Sequence, residues 1–282
     1  MTDSIELLSK AKVGFIGAGN MATSILGGLI QSGLPAESIY VSNPSAGKLD
    51  ALKEKYPNLN ITHDNAEVAS NVEYLLLSVK PHIMSSACDD FKDMDLSKKC
   101  AISVAAGVTC ETLNTILGAD VPVVRSMPNT PSLIGYGATG LYANDKVTEQ
   151  QREATSAIFD AVGISVWVEE ENLIDSVTAV SGSGPAHYFL FMESVVQTGV
   201  ELGLPEATAR ELATQTALGA AAMVQQNDDM DIGQLRRNVT SPGGTTAAAL
   251  DTLNEHKLPD IVKKALEASV KRAKELAEIA NQ

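Results

Sequence analysis

The chain has 282 residues, of which 44% are hydrophobic and 20% are charged. This apolar content can support a buried core and excludes a disordered chain, and the length predicts one or two domains. The formal net charge of −14 argues against a nucleic-acid partner, because a phosphate backbone is bound by basic surface. The apolar runs are far shorter than the roughly 20 residues of a membrane span, and the acidic start lacks a signal-peptide pattern, so no membrane segment or secretion signal is predicted.

Short apolar runs alternate with helix-length segments over residues 12–168. The predicted strands are Lys12–Gly17, Ser38–Ser42, Asn60–Thr62, Tyr74–Val79, Cys100–Ala105, Val121–Arg125, Thr139–Tyr142 and Ile164–Val168. The helices predicted among the early strands are Met21–Gln31, Ala46–Tyr56 and Glu67–Ser70. This alternation is typical of βαβ units and predicts an α/β fold with a doubly wound, mostly parallel sheet.

The pattern changes near residue 171. From Pro185 onwards no strand-like run is found, and three long amphipathic segments, Pro185–Leu202, Pro205–Gln226 and Pro259–Ala280, are predicted to be helices. We therefore predict an α/β domain over residues 1–171 and an all-helical domain over residues 172–282.

A glycine-rich motif follows the first predicted strand. Gly17-Ala18-Gly19-Asn20-Met21-Ala22 has the GxGxxA pattern and opens the first helix. Gly17 permits a tight turn, Gly19 lets the backbone approach a diphosphate, and the helix N-terminus offers N–H groups to its oxygens. The motif predicts a Rossmann-type dinucleotide site, with a ligand-free glycine turn as the alternative.

The end of the second strand bears on the choice of dinucleotide. An acidic residue there would bind the adenosine ribose of NAD, but this strand ends in Val41-Ser42-Asn43-Pro44. Ser42, Asn43 and Lys48 could contact a 2′-phosphate, so we predict NADPH. The turn has no arginine, which leaves NADH as the alternative.

Two Gly/Ser segments interrupt the helical half. Ser181-Gly182-Ser183-Gly184-Pro185 lacks the first glycine of a nucleophile elbow and lies outside the predicted sheet, so a hydrolase is not predicted. Thr240-Ser241-Pro242-Gly243-Gly244-Thr245-Thr246 is a second glycine-rich helix start, suited to a carboxylate. The alternative is a plain turn in which Thr245 or Thr246 caps the helix.

Acid–base candidates are sparse. The four histidines and three cysteines show no metal-ligand spacing, so no metal is predicted, and the absence of a CxxC pair favours the reducing cytoplasm. No lysine occurs between Lys146 and Lys257, although dehydrogenases of similar layout that act on hydroxy acids commonly use one there. A C=N bond can be reduced from an already protonated iminium, so the sequence favours an imine over a ketone.

Several segments together resemble the pyrroline-5-carboxylate reductase family. They are Val13–Met21, Ser78–Pro81, Ala105–Val108, Arg125–Pro131, Val180–Pro185 and Asn238–Thr246, in the family's order over residues 12–275. The resemblance implies reduction of 1-pyrroline-5-carboxylate to L-proline, the last step of proline biosynthesis. It also implies a Rossmann domain that binds NAD(P)H, and helices that interleave with a second subunit in a homodimer, with larger rings of dimers.

The resemblance also implies site residues. Cofactor contacts fall on Gly17, Ala18, Gly19, Asn20, Met21, Ser42, Asn43, Asn65, Val79, Lys80, Pro81, Ala105 and Gly107. Substrate contacts fall on Ser241, Gly243, Gly244, Thr245 and Thr246, and Thr246 matches the family's catalytic hydroxyl near the imine. The alternatives are a reductase of another cyclic imine or a hydroxy acid, and a non-catalytic NADP-binding scaffold.

Overall fold

The computed structural model describes residues 6–280, and its strands form one eight-stranded sheet. The strands are β1 (Val13–Ile16), β2 (Ile39–Ser42), β3 (Asn60–Thr62), β4 (Tyr74–Leu77), β5 (Cys100–Ser103), β6 (Val123–Met127), β7 (Gly137–Ala143) and β8 (Gly163–Trp167). Their order is β3-β2-β1-β4-β5-β6-β7-β8, and all neighbours are parallel except β6 and β7. The predicted α/β fold with a mostly parallel, doubly wound sheet is confirmed.

The centre of the sheet is buried on both faces because its strands are almost wholly apolar. All four residues of β1 and all four of β4 are buried. Successive side chains of a strand point to opposite faces, so Phe15 joins one core while Ile16 joins the other. Leu76 and Leu77 divide in the same way. The continuous apolar runs of the sequence therefore correspond to strands that are covered by helices on both sides.

The helices that connect or follow the strands are of unequal length. Those up to residue 177 are α1 (Asn20–Gln31), α2 (Ala46–Lys55), α3 (Asn65–Asn71), α4 (Met84–Cys88), α5 (Cys110–Leu117), α6 (Glu149–Asp160) and α7 (Leu173–Val177). The later helices are α8 (Gly184–Glu201), α9 (Glu206–Gln226), α10 (Ile232–Asn238), α11 (Thr245–Glu255) and α12 (Leu258–Ala280). A π-helical turn, Thr178–Gly182, separates α7 from α8.

Contacts divide the chain into two compact units. The first comprises the residues up to Ser183 together with those from Ala268 onward, and the second is Gly184–Glu267. The first unit contains the whole sheet and the final turns of α12. The second contains only helices and their connections, as the sequence predicts for the later half. Within residues 6–280, no helix is both long enough and apolar enough to cross a lipid bilayer.

Candidate functional site

The glycine-rich turn lies between the end of β1 and the start of α1. Gly17 has φ +98°, and a Cβ added there would lie 2.7 Å from the carbonyl oxygen of Ser78, so this position requires glycine. Gly19 is the N-cap of α1 with an ordinary φ of −76°, and a Cβ there would have no heavy atom within 4 Å. The space above Gly19 is therefore open for a ligand to approach the backbone.

The N-terminus of α1 is left without a protein partner for its first N–H groups. No side chain caps this end, and its first turn contains no acidic residue. These free N–H groups and the helix dipole favour an anion at this end. This end of the helix fits the diphosphate of a dinucleotide, because the turn requires glycine at Gly17, the space at Gly19 is open and the helix is uncapped.

The side chains at the end of β2 form a hydrogen-bonded network. Ser42 is fully buried, and its hydroxyl donates to Oδ1 of Asn65 at 2.6 Å. Oδ1 of Asn43 accepts the N–H of Ala18 at 3.2 Å, while Nδ2 of Asn43 donates to the carbonyl of Ser45 at 3.1 Å. Ser42, Asn43 and Asn65 therefore hold the glycine turn and the second strand together.

The cofactor residues predicted further along the chain follow β4 and β5 at the same edge of the sheet. Val79 is half-buried, and the exposed Lys80 precedes a short 3-10 turn that begins at Pro81. After β5, Ala105 is buried and Gly107 is half-buried. In parallel sheets ligands bind at the carboxyl ends of the strands. All thirteen predicted cofactor residues thus lie in the first unit. Ser42 is the last residue of β2, and Gly17, Val79 and Ala105 follow β1, β4 and β5 within two residues.

A cleft of the first unit adjoins Ala105 and Gly107. Its lining also includes Arg125 and Met127 of β6, Asp175 of α7 and Leu276 of α12. Sequence analysis did not predict the side chains that β6 and α7 contribute. The signal that could have indicated Arg125 was a charged residue at the end of an otherwise apolar strand.

A partly buried ion pair fixes the charge beside this cleft. Nη1 of Arg125 donates to Oε1 of Glu171 at 2.8 Å, and their side chains are 7% and 28% exposed. The same carboxylate oxygen accepts the N–H of Cys110 at 2.7 Å. Burial raises the pKa of Asp175, while the charges of Arg125 and Lys274 oppose that shift. Burial likewise raises the pKa of the Cys110 thiol to about 12, so this thiol is not a nucleophile near neutral pH.

The second glycine-rich segment lies in the helical unit, between α10 and α11. Gly243 has φ +71°, and the N–H of Gly244 donates to the carbonyl of Ser241 at 3.0 Å, which closes a tight turn. Gly244 is the N-cap of α11, so the alternative in which Thr245 or Thr246 caps this helix is wrong. Both threonines are in the first helical turn and are exposed.

The N-termini of α1 and α11 share features that set them apart from other helices. Each begins after a glycine N-cap with ψ near 174°, without a side-chain cap and without an acid in its first turn. By contrast, Asp64, Thr109, Thr148 and Asp231 cap α3, α5, α6 and α10. Both uncapped starts are therefore suited to anions. Among the described residues, no group of three or more His, Cys, Asp or Glu could hold a metal ion.

Two protein families match the chain by sequence. A family described as pyrroline-5-carboxylate reductase dimerisation matches residues 171–276, and one described as NADP oxidoreductase, coenzyme F420-dependent, matches residues 12–107. A pyrroline-5-carboxylate reductase of Vibrio alginolyticus is 43% identical over 268 residues, which cover 95% of this chain and 98% of that protein. The reductase of Pseudomonas aeruginosa is 42% identical, with coverages of 96% and 98%.

Solved structures agree with these matches. The pyrroline-5-carboxylate reductase of Coxiella burnetii has a TM-score of 0.91 and 43% identity, covering 94% of this chain and 98% of that one. The Plasmodium falciparum pyrroline carboxylate reductase, solved with NADP bound, has a TM-score of 0.82 and 31% identity, with coverages of 95% and 99%. The two-part architecture and the near-complete similarity lead to one conclusion: the chain belongs to the pyrroline-5-carboxylate reductase family.

Proposed function

We propose that this protein reduces 1-pyrroline-5-carboxylate to L-proline with NADPH, as the last step of proline biosynthesis in the cytoplasm. Membership in the family supports the reaction, and the NADP bound to the Plasmodium relative supports the cofactor. We assign cofactor binding to residues 1–171, and substrate binding and dimerisation to residues 172–282. The three cysteines are buried and unpaired, in keeping with a reducing compartment.

One observation carries this proposal beyond the family likeness. The helices that begin at Asn20 and Thr245 each combine a glycine N-cap with the absence of a side-chain cap and of a first-turn acid. The proposed reaction needs two anion sites, one for the cofactor diphosphate and one for the substrate carboxylate. With a net charge of −14, the chain must attract both ligands through local groups.

The first unit supplies the cofactor contacts. The N–H groups at the start of α1 hold the diphosphate, with Gly19 allowing the backbone to come close. Asn43 keeps this turn in place through its hydrogen bond from Ala18. Lys80, Ala105 and Gly107 contact the ribose and nicotinamide end. When bound, NADPH supplies the hydride that reduces the C=N bond.

The start of α11 supplies the substrate contacts. Ser241, Gly243, Gly244 and the N–H groups of the first turn bind the carboxylate. Thr245 contributes to the same anion site. The Thr246 hydroxyl orients the ring nitrogen. When the substrate enters as an iminium, this nitrogen is already protonated and keeps its proton during hydride transfer. A separate general acid is then unnecessary, in keeping with the lack of lysine between Lys146 and Lys257.

The reaction is tested by mixing the purified protein with 1-pyrroline-5-carboxylate and either NADPH or NADH and following nicotinamide absorbance. We expect absorbance to fall and L-proline to form, with the larger kcat/KM for NADPH. A hydroxy-acid dehydrogenase would instead consume NADPH with a 2-oxo acid. A non-catalytic scaffold would bind NADPH but would turn over neither 1-pyrroline-5-carboxylate nor a 2-oxo acid. That result would contradict the proposed reaction.

A further inference from the structure

His63 lies directly after β3 and is exposed at the edge where the adenosine part of the cofactor is proposed to bind. Its Nδ1 is 2.7 Å from the carbonyl oxygen of Asn43. A carbonyl oxygen can only accept a hydrogen bond, so Nδ1 carries a proton. Nε2 is therefore the ring atom that can meet a ligand, and it becomes a donor only when the imidazole is protonated.

The side chains that precede His63 at this edge are already engaged. The Ser42 hydroxyl is buried and donates to Asn65. Both polar atoms of the Asn43 amide are bonded, to Ala18 and to Ser45. Neither residue can turn its side chain to an added phosphate without losing a bond. The exposed groups left for this purpose include His63 and Lys48, which lies in the first turn of α2.

The connection from the glycine turn to His63 places the imidazole near the ribose. In this fold the residue at the end of the second strand contacts the 2′ position of the adenosine ribose. Asn43 occupies that end, bonded on one side to Ala18 of the turn and on the other to His63. A phosphate on the 2′ oxygen would therefore lie at the exposed edge of the His63 ring.

The charges around His63 come from two helices, α2 and α3. Asp64 and Glu67 are the nearby acids, but Asp64 caps α3 through the N–H groups of Ala66 and Glu67. Oε2 of Glu67 accepts a hydrogen bond from Thr62. Lys48 is the lysine in the first turn of α2, whereas Lys53 and Lys55 lie in its last turn, and no arginine is present at the turn after β2. A protonated His63 adds a second cation to this edge, whereas a neutral one presents a lone pair to the phosphate.

We propose that His63 is a specificity-determining residue that selects NADPH over NADH, because its protonated Nε2 donates a hydrogen bond to the 2′-phosphate. This inference rests on the proposed cofactor. NADH has a hydroxyl at this position, so its binding does not depend on His63.

The test is calorimetric titration of wild-type protein, His63→Gln and His63→Arg with NADPH and NADH, at about pH 6. We expect His63→Gln to weaken NADPH binding about tenfold, as for loss of one hydrogen bond to a charged group, and to leave NADH binding unchanged. His63→Arg keeps a cation and should retain the preference for NADPH. His256→Gln, an exposed histidine in the helical unit, should match wild type.

The variants are compared at equal pH, so any effect of ionisation of the 2′-phosphate on binding is the same for all of them. The proposal is overturned if His63→Gln keeps the wild-type ratio of NADPH to NADH dissociation constants. If the melting temperature shows that His63→Gln is misfolded, loss of the preference for NADPH in His63→Arg overturns it instead. Wild-type protein that binds neither nucleotide contradicts both this proposal and the proposed function. If the nucleotides bind as expected but the protein does not turn over 1-pyrroline-5-carboxylate, the proposed function is contradicted and the proposal for His63 is not.

Discussion

Gly17 and Gly19 belong to the same turn but have different surroundings. Gly17 combines a left-handed backbone with close packing against Ser78, so a side chain there strains the fold itself. Gly19 has ordinary backbone angles and open space above it, so the protein alone does not require glycine there. The requirement at Gly19 comes from the ligand.

We therefore predict that Gly19→Ala leaves the melting temperature of the ligand-free protein unchanged but weakens NADPH binding by about tenfold or more, because the methyl group keeps the diphosphate from the backbone. Thermal unfolding and fluorescence titration with NADPH measure the two effects. Gly47→Ala, which also meets no neighbour in α2, serves as the matched control and should bind normally. Equal binding by Gly19→Ala and wild type would place the diphosphate elsewhere.

Thr246 is the residue to which the proposed reaction assigns a chemical role. Its side chain is exposed in the first turn of α11, so its removal should not disturb packing. We predict that Thr246→Ala lowers kcat by about a hundredfold, as for loss of a hydrogen bond that orients the reacting group, and changes the KM for NADPH much less. Thr246→Ser keeps the hydroxyl and should retain most activity. Steady-state kinetics with both variants decide the matter, since an unchanged kcat in Thr246→Ala would remove this residue from the mechanism.

At the scale of elements, the connection between α11 and α12 contains a strained residue. Lys257 has φ +57° and follows the C-cap His256, the position after a helix at which glycine is favoured. A residue with a Cβ in this conformation costs about 1–2 kcal/mol relative to glycine, partly offset because glycine is more flexible in the unfolded chain. Replacing Lys257 by glycine should therefore stabilise the folded state overall.

Lys257→Gly is accordingly expected to stabilise the protein by about 0.5–1 kcal/mol. The increase is measured as a higher midpoint of urea unfolding, with kcat unaffected. Lys257→Ala removes the same side chain but retains a Cβ, so it should show no comparable gain. A midpoint for Lys257→Gly at or below that of Lys257→Ala would mean that this backbone conformation is not strained.

The elements also differ in how well the sequence predicts them. Strand β3 was predicted with its observed bounds, and the predicted final helix Pro259–Ala280 corresponds to α12, because periodic or continuous apolar patterns identify buried faces. Helix α6 was not predicted, since its first half is polar and its buried side chains are concentrated towards its end. The capping box formed by Thr148 and Gln151 was the signal that could have found it.

Tertiary pairing limited the prediction of the candidate site. The glycine turns were visible as local motifs, and both proved to start helices. The pairing of Arg125 with Glu171 joins β6 to the segment before α7, so no local pattern shows it. The antiparallel direction of β7 was not predicted either, although the short connection between β6 and β7 was a usable signal.

At the scale of the whole molecule, the two units differ sharply in burial. The first contains two cores on opposite faces of the sheet. In the second, Gly184–Glu267, only Gly184 and Ala209 are buried. Helix α8 exposes four consecutive large side chains, Tyr188, Phe189, Leu190 and Phe191, by 55–71%. Apolar exposure of this extent marks an interaction surface, and it lies within the matched dimerisation family, residues 171–276.

The helical unit of a single chain thus lacks a core of its own, and its stability should depend on association with a second copy. We predict that the melting temperature rises with protein concentration, because dissociation accompanies unfolding. Phe189→Ser should raise the dimer dissociation constant by about tenfold or more, as for a central aromatic side chain of an interface, and sedimentation equilibrium measures this change. Leu133→Ser removes a side chain of similar exposure outside residues 171–276 and should leave the dimer intact. A wild-type protein that sediments as a monomer at every concentration, with an invariant melting temperature, would show that these helices are stable without a partner.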